Sequence, residues 1–387
     1  LFYLFLNLWI KVFGSGVVVM RLSSVLFSLI TVWLIYKIGI LWKDKKTGLW
    51  AAVLTGVNPL LIYYSQELRM YSMMTMFLMG AVYFWTKIIK NKETKKTWWI
   101  GFNIMILLAF LTFYGSVFLS VALILSLIWQ KRFKGFLGSV WGLVVAIAMV
   151  SPLLLVQLKV SGQMLNEVTN WSLVLGKVNL KNLLLIPLKF SIGRVVWYPK
   201  NYYYLISGIW TLIVFGLMIK PAIKNKKILW LLIYPIVLGV LFSFKSPLMQ
   251  YFRFIYLVPV LMLVLAEIKN KWIKTLLTFG FLGFSCLYLF NTNMYREDWK
   301  SVSASLGNGE KVYMVESFND PIKFYNSTVF IKDIRVVDPV EDKVILIPYG
   351  ETIHGIDSGE KMKRLGYQLV KENNFREITT EEWQKQK

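Results

Sequence analysis

Between positions 17 and 290 the chain alternates apolar runs with short polar connections, and with 56% hydrophobic residues over 387 positions it holds more apolar surface than a soluble fold of that length buries. A run of roughly 20 apolar residues is what a helix needs to cross a bilayer. The spacing predicts spans at 17–42, 49–62, 70–87, 98–112, 117–130, 140–157, 202–218, 228–244, 254–266 and 275–290. The first dozen residues are too short to span, and they read as an interfacial helix closed by Gly14-Ser15-Gly16. The expected fold is an α-helical polytopic membrane protein with about ten transmembrane helices.

Charge sets the orientation. Alternate connections are basic: 43–46, 87–96, 131–134, 220–227 and 269–274 together hold 18 Lys and Arg. The short connections between them hold Arg69, then none, then Lys245 and Arg253. Lysine and arginine concentrate on the cytoplasmic side of a membrane, so the first set faces the cytoplasm. The loops 58–71, 112–117, 159–201 and 245–253, with everything after Asn291, then face outward, which implies a plasma or inner membrane with the active face outside.

The net charge of +23 is scattered between apolar runs instead of forming a basic domain, which argues against nucleic acid as a partner. A single cysteine, Cys286, and a single histidine, His354, exclude a disulfide framework and a His/Cys metal site. No cofactor is called for, and a divalent metal held by carboxylates stays open. From Tyr295 the charged fraction rises, and short β-like runs at 311–315, 329–337 and 343–347 alternate with helix-like segments at 297–306 and 358–365. A further strand is expected at 368–370, and Gly307-Asn308-Gly309 reads as a turn. The domains are therefore expected at 1–16 (interfacial helix and loop), 17–291 (transmembrane) and 292–387 (a small outward-facing α/β domain).

The outward loops carry the chemistry. The first holds Tyr64, Gln66, Glu67, Arg69 and Tyr71, the second Tyr114, the third Arg194, Trp197, Tyr198 and Lys200, and the fourth Lys245, Gln250, Tyr251 and Arg253. Charges at a membrane rim are costly unless they face water, a partner or a substrate. Cations among aromatic rings suit an anionic phosphate on a lipid tail, because an arginine forks two charge-assisted hydrogen bonds onto it. The competing readings are a snorkelling Arg69 in a plain outer loop and an interfacial belt of Tyr and Trp.

Several of these stretches resemble a known group. Leu1-Phe2-Tyr3-Leu4-Phe5-Leu6-Asn7-Leu8-Trp9, then Met20-Arg21-Leu22-Ser23-Ser24, then Asn58-Pro59 and Tyr64-Ser65-Gln66-Glu67-Leu68-Arg69-Met70-Tyr71 are similar to the core of the bacterial relatives of the protein O-mannosyltransferases and the lipid A aminoarabinose transferase, within the C-fold superfamily of glycosyltransferases. Pro247 to Pro259 resembles their late outer loop, and Tyr295-Arg296-Glu297-Asp298-Trp299-Lys300 the entry to their small outer domain. The resemblance implies inverting transfer of a sugar from a polyprenyl-phosphate donor to an acceptor hydroxyl on a glycan, lipid or protein.

It also implies roles. Arg69 matches the group's arginine and is the first choice for the donor phosphate, Arg253 and Lys245 the second, Arg194 and Lys200 the third. Gln66, Glu67, Tyr64, Tyr71, Tyr114 and Tyr198 are then candidates for the sugar or acceptor. The group's catalytic acid precedes a His-Pro-Pro type sequence, so the base is expected upstream of Leu1 and the chain without it is expected to be inactive. Eukaryotic relatives place an Asp shortly after the arginine, where this chain has Met70-Tyr71-Ser72-Met73-Met74, so that role does not carry over. A lipid-linked oligosaccharide flippase and a plain membrane anchor are the readings from other classes. Transporters usually show repeated halves meeting at the midplane, and no repeat is present here.

Overall fold

The structure, a computed structural model, describes residues 1–130, 133–337 and 341–386. The chain divides into two compact units, one of 1–157 with 175–291 and the other of 158–174 with 292–387.

The first unit is helical. Its first half runs through α1 (Phe2–Phe13), α2 (Val17–Trp42), α3 (Lys45–Gly56), α4 (Pro59–Ser65), α5 (Tyr71–Lys90), α6 (Lys96–Thr112), α7 (Val117–Trp129) and α8 (Phe133–Glu167). After α9 (Trp171–Leu175) come α10 (Leu180–Ile192), α11 (Lys200–Lys224), α12 (Lys226–Ser243), α13 (Leu257–Ala266) and α14 (Lys271–Phe290). Among the described residues, six helices are long and apolar enough to cross a membrane: α2, α5, α8 from Gly138, α11, α12 and α14. At a rise of 1.5 Å per residue, α2 alone reaches about 39 Å, more than a hydrocarbon core is thick.

The other four runs expected to span form shorter helices. The run 49–62 is broken, because Asn58 and Pro59 end α3 and start α4. The runs 98–112 and 117–130 form helices of 17 and 13 residues. The run 254–266 loses its start to a 3-10 turn at Tyr251–Phe254, which leaves ten residues in α13.

Two features at the α3–α4 break hold the unit together at one end. Asn58 is fully buried, and its Oδ1 accepts from the amides of Leu60 (3.0 Å) and Leu61 (3.2 Å), while Pro59 needs no partner at the first helical position. Its Nδ2 donates to the Phe190 carbonyl at 2.9 Å, near the end of α10. Gly193 closes α10 with φ +67°, and a Cβ there would lie 2.8 Å from the Pro59 carbonyl carbon. The connections 58–71 and 159–201 are thus bolted by a side chain that caps one helix and binds the last turn of another. Asn58→Ala removes the cap, worth about 1 kcal/mol, and strips the Phe190 carbonyl of its buried donor, worth about 1 kcal/mol or more. We expect a loss of about 2 kcal/mol, measured as lower thermal stability in detergent, and partial recovery in Asn58→Ser, which keeps the cap.

At the opposite end, residues from the ends of α2, α5, α11 and α13 line one cavity, so the basic connections 43–46, 87–96, 220–227 and 269–274 share an end. The remaining basic connection, 131–134, includes Lys131 and Arg132, which lie outside the described residues.

The second unit carries a five-stranded sheet of order β2-β1-β3-β5-β4, from β1 (Lys311–Met314), β2 (Phe330–Asp333), β3 (Lys343–Ile347), β4 (Tyr367–Phe375) and β5 (Ile378–Lys385). β1 pairs in parallel with β2 and β3, whereas β5 is antiparallel to both β3 and β4. Side chains alternate between the two faces of a strand. Val312, Met314, Ile345 and Ile347 accordingly pack with Val302, Leu306 and Ile322 on one face, and Tyr313, Val344 and Leu346 with Met362 and Trp383 on the other. Helices α15 (Trp299–Ser305), α16 (Asp320–Tyr325), α17 (Glu351–His354) and α18 (Ser358–Arg364) flank the sheet. The strands expected at 311–315 and 343–347 and the helices at 297–306 and 358–365 are present, the run expected at 329–337 is a strand only over Phe330–Asp333 and passes into a 3-10 turn at Ile334–Val336, and the short run at 368–370 extends into the nine-residue β4. β5 is an addition, reached through a hairpin in which Glu377 takes φ 59°. The entry segment is tied into this unit: Asp298 caps α15 through Ser301, the Trp299 ring meets Tyr349 at 4.9 Å, and Glu297 accepts from the Tyr349 hydroxyl at 2.7 Å.

Candidate functional site

The first outward loop is held by hydroxyls from its neighbours. Ser24 of α2 donates to the Glu67 carbonyl at 2.9 Å, and Ser72 of α5 donates to the Tyr64 carbonyl at 2.8 Å. Within the loop the Arg69 amide donates to the Glu67 carbonyl at 2.9 Å, and the Gln66 amide to Tyr63 at 3.1 Å. The backbone is therefore fixed, and the Arg69 side chain also hydrogen-bonds the Tyr71 hydroxyl. Arg69 is 46% exposed, and its Nε stands 4.0 Å from the carboxylate of the far less exposed Glu67. That separation orients the guanidinium without using up its donors. Gln66 is half-buried beside it.

Tyr71, at the start of α5, is the point where the outward loops meet. Only 4% exposed, it packs edge-on against Tyr64 of the first loop (5.1 Å), Phe113 of the second (5.8 Å) and Phe252 of the fourth (5.5 Å). Edge-to-face pairs of this kind add stability beyond the area they bury. Both Arg69 and Arg253 lie within electrostatic reach of the Tyr71 hydroxyl. Arg253 donates to the Pro247 carbonyl at 3.2 Å.

The third loop joins through Arg194, which follows Gly193 directly. Its guanidinium donates to the Tyr63 hydroxyl at 2.8 Å and stacks 5.0 Å above the Tyr63 ring. The Tyr64 and Tyr251 hydroxyls are also within its electrostatic reach. Three arginines from three separate connections thus surround one cluster of tyrosines, with Tyr251 neighbouring Tyr64, Tyr71, Arg194 and Tyr203.

Other expected site residues stand apart from this cluster. Tyr198 is 77% exposed and pairs with the exposed Lys200, whose Nζ is 5.6 Å from its ring centre. Lys245 is likewise exposed. Tyr114 is half-buried and packs on Phe110 at 5.4 Å, so its neighbour Phe113 is the residue that reaches Tyr71. Trp197 packs on Tyr203 at 5.0 Å.

One functional candidate escapes a reading of the loops. Lys189 of α10 is 8% exposed, and its Nζ donates to the Tyr203 hydroxyl at 3.2 Å. Burial first, and the Arg194 charge second, bring its pKa down to about 8. It is charged at neutral pH and loses that charge as the pH rises past about 8. The signal was a lone lysine within the apolar stretch Leu188-Lys189-Phe190, the kind of position where a charge needs a purpose. Tyr251 stood among the polar residues of the fourth loop, whereas Tyr63 was not singled out. Behind the first loop lies a cavity of about 120 Å³ bounded by Tyr64, Ser65, Ser72 and Thr75, and the buried Thr75 hydroxyl has no hydrogen-bond partner there.

Among the described residues no three His, Cys, Asp or Glu side chains gather as metal ligands. What the cluster supplies is cationic and phenolic donors, suited to an anion with several oxygens.

Residues 1–155 match the family model of the dolichyl-phosphate-mannose-protein mannosyltransferases, a stretch that contains the first two outward loops. No curated protein matches the chain by sequence. Among solved structures, the chain is similar to ArnT from Cupriavidus metallidurans bound to undecaprenyl phosphate, with 12% identity, a TM-score of 0.59 and coverage of 97% of this chain and 86% of that one. The apo state of the same protein matches at 9% identity over the same shares, with a TM-score of 0.40. The family match thus covers residues 1–155, and the likeness to ArnT is one of fold over nearly the whole chain.

Proposed function

We propose that the protein transfers a sugar from a polyprenyl-phosphate donor to an acceptor hydroxyl, with inversion, at the end of the membrane unit that carries the arginine and tyrosine cluster. The observation that carries this reading is the meeting of Arg69, Arg194 and Arg253 around Tyr63, Tyr64, Tyr71 and Tyr251. In the reaction the acceptor oxygen attacks the anomeric carbon and the bond from that carbon to the phosphate oxygen breaks. The electron pair goes to the phosphate, and the acceptor proton goes to a carboxylate base. Negative charge builds on the leaving phosphate, where donors already in place stabilise it without having to reorganise. Arg69 and Arg253 would hold that phosphate. Arg194, held by Tyr63, would set the potential around it, and Lys189 would add to that potential below about pH 8. Glu67 would keep Arg69 aimed, and Gln66 would bond a sugar hydroxyl.

Orientation follows the lysine bias, with the arginine and tyrosine end and the 292–387 unit outside the cytoplasm and the acceptor a glycan, lipid or protein of that side. Support for the donor class comes from the similar ArnT structure, which binds undecaprenyl phosphate. The family match and the fold favour transfer over lipid-linked oligosaccharide flipping.

Of the two cations of the fourth loop, we rank Arg253 above Lys245. Arg253 sits in the cluster, whereas Lys245 is exposed. Loss of a charge-assisted contact to a phosphate weakens binding by about ten- to a hundredfold. Titration of the full-length protein with a labelled polyprenyl-phosphate sugar should show that loss for Arg253→Ala and a much smaller one for Lys245→Ala. Equal affinity for wild type and Arg253→Ala would remove Arg253 from the donor site.

A further inference from the structure

At the end of the membrane unit opposite the arginine and tyrosine cluster, six lysines, Lys43, Lys90, Lys220, Lys224, Lys227 and Lys269, line one cavity of about 850 Å³. We propose that this cavity is a second binding site, which takes the phosphate headgroup of an anionic phospholipid from the leaflet on that side. The proposal is independent of the transferase reading, because none of its residues belongs to the donor site.

The usual bias of lysine toward cytoplasmic connections explains why such residues occur at this end, but not why they surround one space. Here they come from four separate connections and converge on a cavity of the size that holds small ligands. Glu267 is the carboxylate in the lining, and it is engaged: it accepts from Trp42 Nε1 at 2.9 Å and from Asn225 Nδ2 at 3.2 Å. Lys43 and Lys224 lie within its electrostatic reach, so one negative charge answers part of a sixfold positive wall. Lys90 is positioned in advance, donating to the Trp42 carbonyl at 2.8 Å with its Nζ 5.0 Å from the Trp42 ring centre.

A soluble anion and a lipid headgroup share the phosphate chemistry, and the rest of the wall separates them. Gly216, Leu217 and Ile273 continue the lining along α11 and α14, two of the helices long and apolar enough to cross a membrane. α11 is among the least buried of the spans, with Leu212, Ile219 and Ile223 all more than half exposed. A cationic rim that passes into apolar helix surface offers a headgroup its counter-charges and the acyl chains a wall to lie on. Basic pockets between membrane helices on the cytoplasmic side bind anionic headgroups on this principle.

The test uses the full-length protein, delipidated in a neutral detergent and titrated with fluorescent cardiolipin. Lys220→Gln/Lys224→Gln/Lys269→Gln should weaken binding on the order of a hundredfold. The corresponding Arg triple should retain most of it. The triple Lys45→Gln/Lys46→Gln/Lys95→Gln removes the same charge from the same end outside the cavity, and it should have little effect. Equal losses in the two Gln triples would reduce the cavity lysines to a topological signal and overturn the site. Sodium pyrophosphate provides the second arm. If it binds as tightly as cardiolipin, with the same dependence on the cavity lysines, the site belongs to a soluble anion and the lipid assignment falls.

Discussion

Arg69→Ala in the full-length protein is expected to lower the transfer rate by about 10²- to 10³-fold, the loss typical of removing one preorganised donor from a developing oxyanion. The reason lies in how the residue is held. Its amide is bonded to the Glu67 carbonyl, and its half-exposed guanidinium lies between a long ion pair to Glu67 and the Tyr71 hydroxyl. Arg69→Lys keeps the charge and loses the planar fork, so a small residual activity should survive. Glu67→Gln should cost less than either, since it loosens the aim of Arg69 and leaves the donors intact. Because Arg69 is substantially exposed, none of these changes should lower thermal stability appreciably. Near-normal turnover in Arg69→Ala, in protein of unchanged stability, would return the residue to an ordinary outer loop.

Gly193→Ala should be nearly as damaging to transfer, by a different route. With φ at +67° a side chain is strained, and the added Cβ would press on the Pro59 carbonyl carbon from 2.8 Å, where the neighbour is backbone and has little room to yield. Strain and overpacking together are expected to cost about 3 kcal/mol. The displaced segment carries Arg194, the next residue, away from the Tyr63 hydroxyl. Transfer should therefore fall with stability. Gly208→Ala is the control, since a Cβ there meets nothing within 4 Å in the middle of α11. If the two alanine variants behave alike in a thermal melt and in transfer, the two loops are not coupled through this contact.

Much of this organisation was legible in the sequence, and the reasons differ from part to part. The apolar runs and the alternation of lysine-rich connections are one-dimensional signals, and four of the five basic connections do meet at one end. The strands of the small sheet show because Val312, Tyr313 and Met314 alternate between two cores, and such alternation survives in a short string. Convergence of the outward loops was inferred from polar residues at a membrane rim, and Tyr71, Arg69, Arg194 and Arg253 do lie together. Pairings that depend on packing were not legible. Lys200, Tyr198 and Lys245 look like their neighbours in sequence but point to the surface. Lys189 lay inside α10, a helix hidden within a long connection, and its role comes from contact with Tyr203 across the turn that follows. Asn58 read as part of a functional motif, and the structure makes it a bolt between loops.

The most direct measurement of the central claim is a reaction with reconstituted full-length protein, a labelled polyprenyl-phosphate sugar and a panel of glycan, lipid and peptide acceptors. Free prenyl phosphate and glycosylated product are scored together, with Arg69→Ala run in parallel. The account predicts that prenyl phosphate and product appear in equal amounts, that both depend on Arg69, and that the new glycosidic bond has the opposite anomeric configuration to the donor. Intact donor carried between leaflets, with no prenyl phosphate released for any acceptor, would contradict it.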